Sequence, residues 1–116
     1  MMTCLYDKMR KPVAYLYQFA ILEPGTYHLI GLMLGNCVFS MQGHLKGKMI
    51  GHQLLDESGA ILAEEGQKTP NSHIDKSSLL EQVWNVLVNI RQHTLNFVHP
   101  SGKWADKPLA ECLSGN

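Results

Sequence analysis

The hydrophobic pattern of the chain changes its period once, near residue 70. From Lys11 to about Gly66 the apolar residues follow the two-residue period of β-strands and are interrupted by turn residues. After residue 72 they recur at every third or fourth position, which is typical of a helix. This order predicts an α+β fold: an antiparallel β-meander of about five strands, then one long helix packed on the sheet, then a short C-terminal tail.

Turn residues divide the predicted meander into strands. Glu23-Pro24-Gly25-Thr26 predicts a tight turn, because proline presets φ at one central position and glycine tolerates positive φ at the next. Gly35-Asn36 predicts a hairpin, and Gly59 predicts a hairpin loop over residues 56–59. The predicted strands span residues 13–22, 26–34, 37–42, 44–55 and 60–65. The first is apolar on both faces and should be covered on both sides, and glycines at 43, 47 and 51 predict a bend in the fourth.

The predicted helix begins near Asp75, where capping-box spacing appears, and runs to about Phe97. A last short helix is expected to open near Pro108, and residues 113–116 are expected to fray. No internal repeat is apparent. We expect a single domain over residues 1–116, divided as follows: meander over 12–66, helix over 75–97 and tail over 98–116.

The apolar arc of the predicted helix is wider than one sheet face can cover. Ordinary surface helices carry an apolar stripe of about 100°, whereas this arc spans roughly half the circumference. The excess flank is the candidate interface, formed by Leu80, Trp84, Val88 and Leu95. Three occupants are possible for it: the tail with Trp104, Leu109 and Leu113, a second copy of the chain, or a small apolar ligand.

The charge of the chain limits its partners. Only 17% of the residues are charged, and ten basic residues balance ten acidic ones, giving a formal net charge of +0. Proteins that bind duplex nucleic acid through phosphates carry a basic excess, so nucleic acid is an unlikely partner. A low charged fraction favours buried interfaces over a fully solvated monomer.

The cysteines and the hydrophobic runs indicate a cytoplasmic protein. Three widely spaced cysteines do not form a disulfide framework. Basic residues before the apolar stretch 13–22 imitate a signal peptide, but Gln18 interrupts that stretch and no cleavage site follows. No run approaches the roughly 20 apolar residues of a membrane span, so no membrane partner is expected.

No local motif predicts catalysis or a cofactor. None of the six histidines has the spacing of a metal site. Cys37 lacks an evident activating base, and helix capping explains Ser72 and Asp75 without a catalytic triad. We therefore expect no cofactor and no enzymatic activity. The one polar surface that the strand pattern suggests consists of His44, Lys46, Lys48 and His52.

Three functions remain open. The first is a non-enzymatic, homo-oligomeric domain (a homodimer or larger) for binding or assembly. The second is a small-molecule-binding domain with an apolar pocket between sheet and helix. The third is weak binding of single-stranded nucleic acid, for which the order of a curved meander and one helix resembles in outline the single-strand-binding coactivator, Whirly and Pur-alpha class. Its stacking surfaces would be Tyr15, Tyr17, Phe19, Tyr27 and Phe39.

Overall fold

The computed structural model describes residues 2–69, 74–91 and 98–114. Within these ranges the chain forms eight strands and two helices. The strands are β1 (Met2–Tyr6), β2 (Pro12–Tyr17), β3 (Ala20–Leu22), β4 (Leu29–Leu34), β5 (Cys37–Ser40), β6 (Leu45–Ile50), β7 (Gln53–Asp56) and β8 (Ile61–Thr69). The helices are α1 (Lys76–Leu87) and α2 (Leu109–Ser114).

The eight strands close into an antiparallel barrel. Each strand pairs with its neighbours in sequence, and β8 pairs back to β1, with Met2 opposite Thr69 and Tyr6 opposite Glu64. Every one of these strands therefore has a hydrogen-bonded neighbour on both sides. Closure removes the free edges that an open sheet of the same strands would present.

The predicted α+β fold, with a five-stranded meander and a long helix, is wrong. Two of the predicted strands are hairpins: residues 13–22 contain β2 and β3, and residues 44–55 contain β6 and β7. The chain reverses at Gln18 and at Gly51, which have φ of 55° and 62°. Positive φ is uncommon at a glutamine, so the residue type at position 18 gave no sign of a turn between β2 and β3. Strand β1 was also not predicted.

The predicted length of the helix is also wrong. Helix α1 begins where expected, since the Asp75 side chain caps it by accepting a hydrogen bond from the N–H three residues on, at 3.2 Å. It ends at Leu87, however, and the N–H groups of residues 89 and 90 then donate to carbonyls only three positions back. Such tight bonds end an α-helix. Residues 92–97 lie outside the described residues.

Four turns at one end of the barrel share one pattern of hydrogen bonds. In the turn between β7 and β8, the Asp56 N–H donates to the Ala60 carbonyl and the Gly59 N–H donates to the Asp56 carbonyl. The same pair of bonds begins at Asp7 and Ser40, and a turn that is one residue longer begins at Glu23, so the turn recurs every 16 or 17 residues. The residue that donates back to the start of each turn has positive φ, and these residues are Arg10, Tyr27, Gly43 and Gly59; the longer turn also holds Gly25 at positive φ. The chain is therefore built from four consecutive hairpins.

Bonds at the opposite end of the barrel join each connecting turn to the second strand of the hairpin that follows it. The carbonyls of Phe19, Asn36 and His52 accept hydrogen bonds from Met33, Met49 and Glu65, at 2.8, 2.7 and 2.7 Å. The internal repeat escaped the sequence analysis because only two of its four positive-φ turn positions carry glycine at the first end. Equivalent turn positions of the four hairpins therefore share backbone geometry although their residue types differ.

The strands are apolar on both faces because each face has its own cover. Ala20 and Leu22 of β3 belong to a cluster with α1, whereas Ile21 belongs to a cluster with α2. The expectation that residues 13–22 are covered on both sides holds for β3, whose three residues are all buried. The α1 cluster comprises Met2, Tyr17, Ala20, Leu22, Leu29, Leu32, Cys37, Phe39, Leu45, Leu79, Val83, Val86 and Ile90. The α2 cluster comprises Leu5, Ala14, Ile21, Val38, Met49, Leu54, Leu62, Ala63, Leu109 and Leu113.

The C-terminal segment adheres to the barrel. The Ile61 N–H donates to the Lys103 carbonyl and the Ala105 N–H donates to the Ile61 carbonyl, both at 2.8 Å. Val98 packs with Leu55 and Ile61. The expected fraying at residue 113 is wrong, since that leucine is buried in the α2 cluster. No helix in the described ranges is long and apolar enough to cross a membrane.

Candidate interface on the outer face of the first helix

Helix α1 has two apolar faces. Leu79, Val83 and Val86 face the barrel and are buried. Leu80, Trp84 and Val88 follow one another at four-residue spacing, so they share a different face of the helix. Their side chains are 63, 64 and 55% exposed. We call these three residues the outer stripe.

The described part of the tail does not cover the outer stripe. Leu109 and Leu113 are buried in the α2 cluster, and Trp104 packs against the cluster of Leu55, Ile61 and Val98. The described part of the tail, one of the three candidate occupants of this flank, therefore packs elsewhere on the molecule. Leu95, the fourth predicted interface residue, lies outside the described residues.

A half-open groove runs beside the outer stripe, between α1 and the turn that joins β2 to β3. Its volume is about 160 Å³, and its lining is mostly apolar. The lining residues are Tyr17, Gln18, Phe19, Ala20, Lys76, Leu79, Leu80 and Val83. Phe19 stands at its rim, 38% exposed, because the positive φ at Gln18 turns the chain outward there. Leu80 belongs both to the outer stripe and to the groove wall.

Charged side chains stand on either side of the outer stripe. At 100° per residue, Lys76 falls on the groove side of the stripe and Glu81 on the other side. Both residues are exposed. The Arg91 guanidinium lies beyond the helix and donates to the Val88 carbonyl at 3.3 Å, where a cation suits the helix dipole.

A family model described as "4-fold beta flower protein" matches residues 3–113 of the chain. The chain belongs to the 4-fold beta flower family. Comparison with curated proteins and with solved structures gave no match. The family description agrees with the four hairpins of the barrel, and the matched residues include α1 and all of α2 except its last residue.

The predicted polar surface is not assembled in this beta flower barrel. Lys46 and Lys48 lie half-buried on one face of β6, but His44 and His52 sit in the turns at its opposite ends. The His52 Nδ1 is 3.1 Å from a carboxylate oxygen of Glu65. Lys46 instead lies near α2, beside Asp56 and Cys112. Lys46 and Lys48 therefore share one face of β6, whereas the two histidines lie in turns at its two ends.

The aromatic side chains proposed for base stacking are largely taken up within the beta flower barrel. Tyr17 and Phe39 are buried in the α1 cluster. Tyr15 and Tyr27 stack on each other, with ring centroids 5.9 Å apart and planes inclined by 26°. Phe19 is the exposed member of the set, at the groove rim. This arrangement gives little support to a stacking platform for single-stranded bases.

A polar depression on β1 and β8 collects charges that are paired with each other. The Arg10 guanidinium lies 4.7 Å from the centre of the Tyr6 ring and 3.8 Å from a carboxylate oxygen of Glu64. A hydrogen bond to Cys4 and an electrostatic interaction with the same residue raise the pKa of Tyr6. Surface ion pairs of this kind contribute little to stability and do not by themselves define a site.

The three cysteines of this beta flower chain are free thiols. Cys4 and Cys37 are buried, whereas Cys112 is half-buried on α2. Burial raises the pKa of the Cys112 thiol, which makes it less reactive than an exposed cysteine. Among the residues that the structure describes, no three His, Cys, Asp or Glu side chains are grouped to hold a metal ion.

The residue spacing predicts the outer stripe but not the groove beside it. The strand pattern places Phe19 in the middle of a predicted strand, on a face of the sheet, whereas the structure places it at the groove rim. The available signal was the spacing of the turns: Gln18, Gly35 and Gly51 follow one another at intervals of 17 and 16 residues, and all three have positive φ.

Proposed function

We propose that this chain is a non-enzymatic assembly domain that forms a homodimer or larger homo-oligomer through the outer stripe of α1. The observation that carries the proposal is the exposure of Leu80, Trp84 and Val88 on one helix face. Contiguous exposed apolar residues with a tryptophan among them are typical of protein interfaces, where aromatic residues are enriched.

A second copy of the chain is the occupant that the charges favour. The formal net charge is +0, so two copies carry no overall repulsion. Lys76 and Glu81 flank the outer stripe, so the same surface on a partner offers a charge of opposite sign to each of them. A two-fold contact of one surface with itself is also the commonest form of oligomer.

The closed barrel supports a contact made by side chains. Open sheets can associate by adding strands at their edges, but the eight described strands are all paired on both sides. The three stripe residues expose on the order of 400 Å², about half of the roughly 800 Å² that each partner contributes to a standard interface. The groove rim adjoins the stripe and is the natural source of the remainder.

The two alternative functions have weaker support. The groove beside α1 holds about 160 Å³, whereas sites for small-molecule ligands usually hold about 300–1,000 Å³. Single-strand binding would need the aromatic and basic residues that the barrel buries or separates. We also propose a cytoplasmic location, which the three free cysteines support.

Light scattering on the full chain at micromolar concentration tests the proposal. We expect the mass of a dimer or larger, and we expect Trp84→Ser to weaken association by at least about 30-fold, as at an interface hot spot. The matched control is Met9→Ser, because Met9 is also apolar and is 71% exposed, on the turn between β1 and β2. A monomeric wild type, or equal weakening by the two substitutions, would contradict the proposal.

A further inference from the structure

We infer that the groove beside α1 is the receptor for Trp84 of a second copy, so that each copy inserts its tryptophan into the groove of the other. This inference rests on the proposed function. It adds the partner residue that occupies the groove and the residues that receive it.

The size and lining of the groove suit one aromatic ring. Its volume of about 160 Å³ is bounded by Phe19, Leu79, Leu80 and Val83, all apolar. An apolar cavity of roughly 150 Å³ lined by leucine, isoleucine and phenylalanine is known to accept benzene. The groove is therefore large enough for a ring and too small for most free ligands.

The position of Trp84 suits the same contact. Its side chain is 64% exposed on α1, one turn beyond Leu80, which forms part of the groove wall. A two-fold contact pairs residue i with residue j and residue j with residue i. A protruding ring and a ring-sized groove on one surface therefore complement each other when two copies meet. Tryptophan is one of the residues enriched at interface hot spots, which lie in well-packed pockets.

The groove also offers a partner for the polar edge of the indole. Gln18 and Lys76 belong to its lining. The Gln18 side-chain carbonyl can accept a hydrogen bond from the indole N–H, which usually finds an acceptor when it is buried. The Lys76 ammonium can lie over the ring face, where a cation is attracted to tryptophan.

The test is to mix two variants that each fail to associate alone. Trp84→Glu places a carboxylate against the apolar groove, and Phe19→Lys places a cation at the groove rim. Each is expected to weaken self-association by at least about 30-fold. When they are mixed, one groove receives an unaltered Trp84 and keeps an unaltered Phe19, while at the other groove the two introduced charges face each other. We therefore expect a one-to-one heterodimer by native mass spectrometry.

The control is a mixture of Trp84→Glu with Met9→Lys, which introduces the same charge far from the groove. No preferred heterodimer is expected there. Far-UV circular dichroism checks that the variants fold, and Phe19→Lys should fold because Phe19 lies at an exposed turn whose bond to Met33 uses the backbone carbonyl.

Failure of the inference is distinguishable from failure of the proposed function. If Trp84→Ser dissociates the oligomer but Phe19→Lys does not, the assembly through α1 stands and the groove is not its receptor. If the Trp84→Glu and Phe19→Lys variants fail to form a heterodimer when they are mixed, the inference is overturned as well. A monomeric wild type that binds free indole, detected by NMR shifts at Phe19 and Leu80, would assign the groove to an aromatic ligand and overturn both.

Discussion

The two helices of this barrel use their apolar residues in opposite ways. Helix α2 has six residues, and both of its leucines, Leu109 and Leu113, are buried against the strands. Helix α1 is twice as long. It buries Leu79, Val83 and Val86 but leaves Leu80 and Trp84 exposed to solvent. The leucines of α2 therefore belong to the core, whereas the large apolar side chains of α1 belong either to the core or to an exposed surface.

The difference arises from what each helix packs against. A small residue on β4, Gly31, lets α2 approach closely. A Cβ at Gly31 would lie 3.2 Å from Leu113 Cδ1. Helix α1 also packs on β4, but it lies beside turns as well, with Phe19 on one side and Gly43 near its end. The barrel covers one face of α1, and the outer stripe lies on the face that it leaves exposed.

The largest expected effect is a difference in unfolding free energy between alanine substitutions at two leucines, one on each helix. Leu113→Ala should lower the free energy of unfolding by about 2–5 kcal/mol, because it removes a fully buried side chain and leaves a cavity. Leu80→Ala should change it by no more than about 0.5 kcal/mol, because Leu80 is exposed. Urea unfolding followed by circular dichroism, at a concentration where both are monomeric, measures the difference. Equal losses would mean that α1 is covered within one copy.

A second pair of substitutions tests how tightly the end of α1 is held. Gly43 and Gly35 both have positive φ, so an alanine at either should cost about 1–2 kcal/mol of backbone strain. At Gly43 the added Cβ would also lie 2.7 Å from the carbonyl carbon of Asn89, whereas at Gly35 it would meet nothing within 4 Å. Overpacking should add about 1–3 kcal/mol to the cost of Gly43→Ala. A difference near zero in urea unfolding would show that α1 moves away without loss.

The same comparison explains which parts of the fold could be predicted. The hairpins predicted at Gly35 and Gly59 are confirmed, and both glycines have positive φ. The reversal at Gly51 was not predicted, because the glycines of residues 44–55 were interpreted as a bend within one strand. The N-terminal cap of α1 at Asp75 was also found, because its chemistry is local. The turn at Gln18 was missed, since its side chain gives no sign of positive φ and its neighbours alternate as in one continuous strand.

Barrel closure could not be predicted from local patterns. It depends on the pairing of Tyr6 with Glu64, and therefore on contacts between the two ends of the barrel sequence. The apolar flank of α1 was predicted from its spacing, and Leu80, Trp84 and Val88 are exposed as a group. Its relation to Phe19 was not predictable, because that rim exists only once the chain reverses at residue 18.

The smallest expected effect concerns the thiols that accompany each helix. Cys112 of α2 is half-buried, whereas Cys37 is buried in the α1 cluster and Cys4 is buried on β1. Alkylation requires the thiolate, and burial raises the pKa of Cys112, so its labelling by iodoacetamide should be slower in the folded chain than in urea and should rise with pH. Mass spectrometry should still find Cys112 labelled first in the folded chain, since its sulfur retains partial access to solvent, and Cys112→Ser should remove that early label.

If Cys37 were labelled as early as Cys112, the α1 cluster would open as readily as the outer side of α2. The helix that leaves its tryptophan in solvent would then be loosely attached to the barrel, and the exposure of the outer stripe would reflect that loose attachment rather than a surface built for a partner.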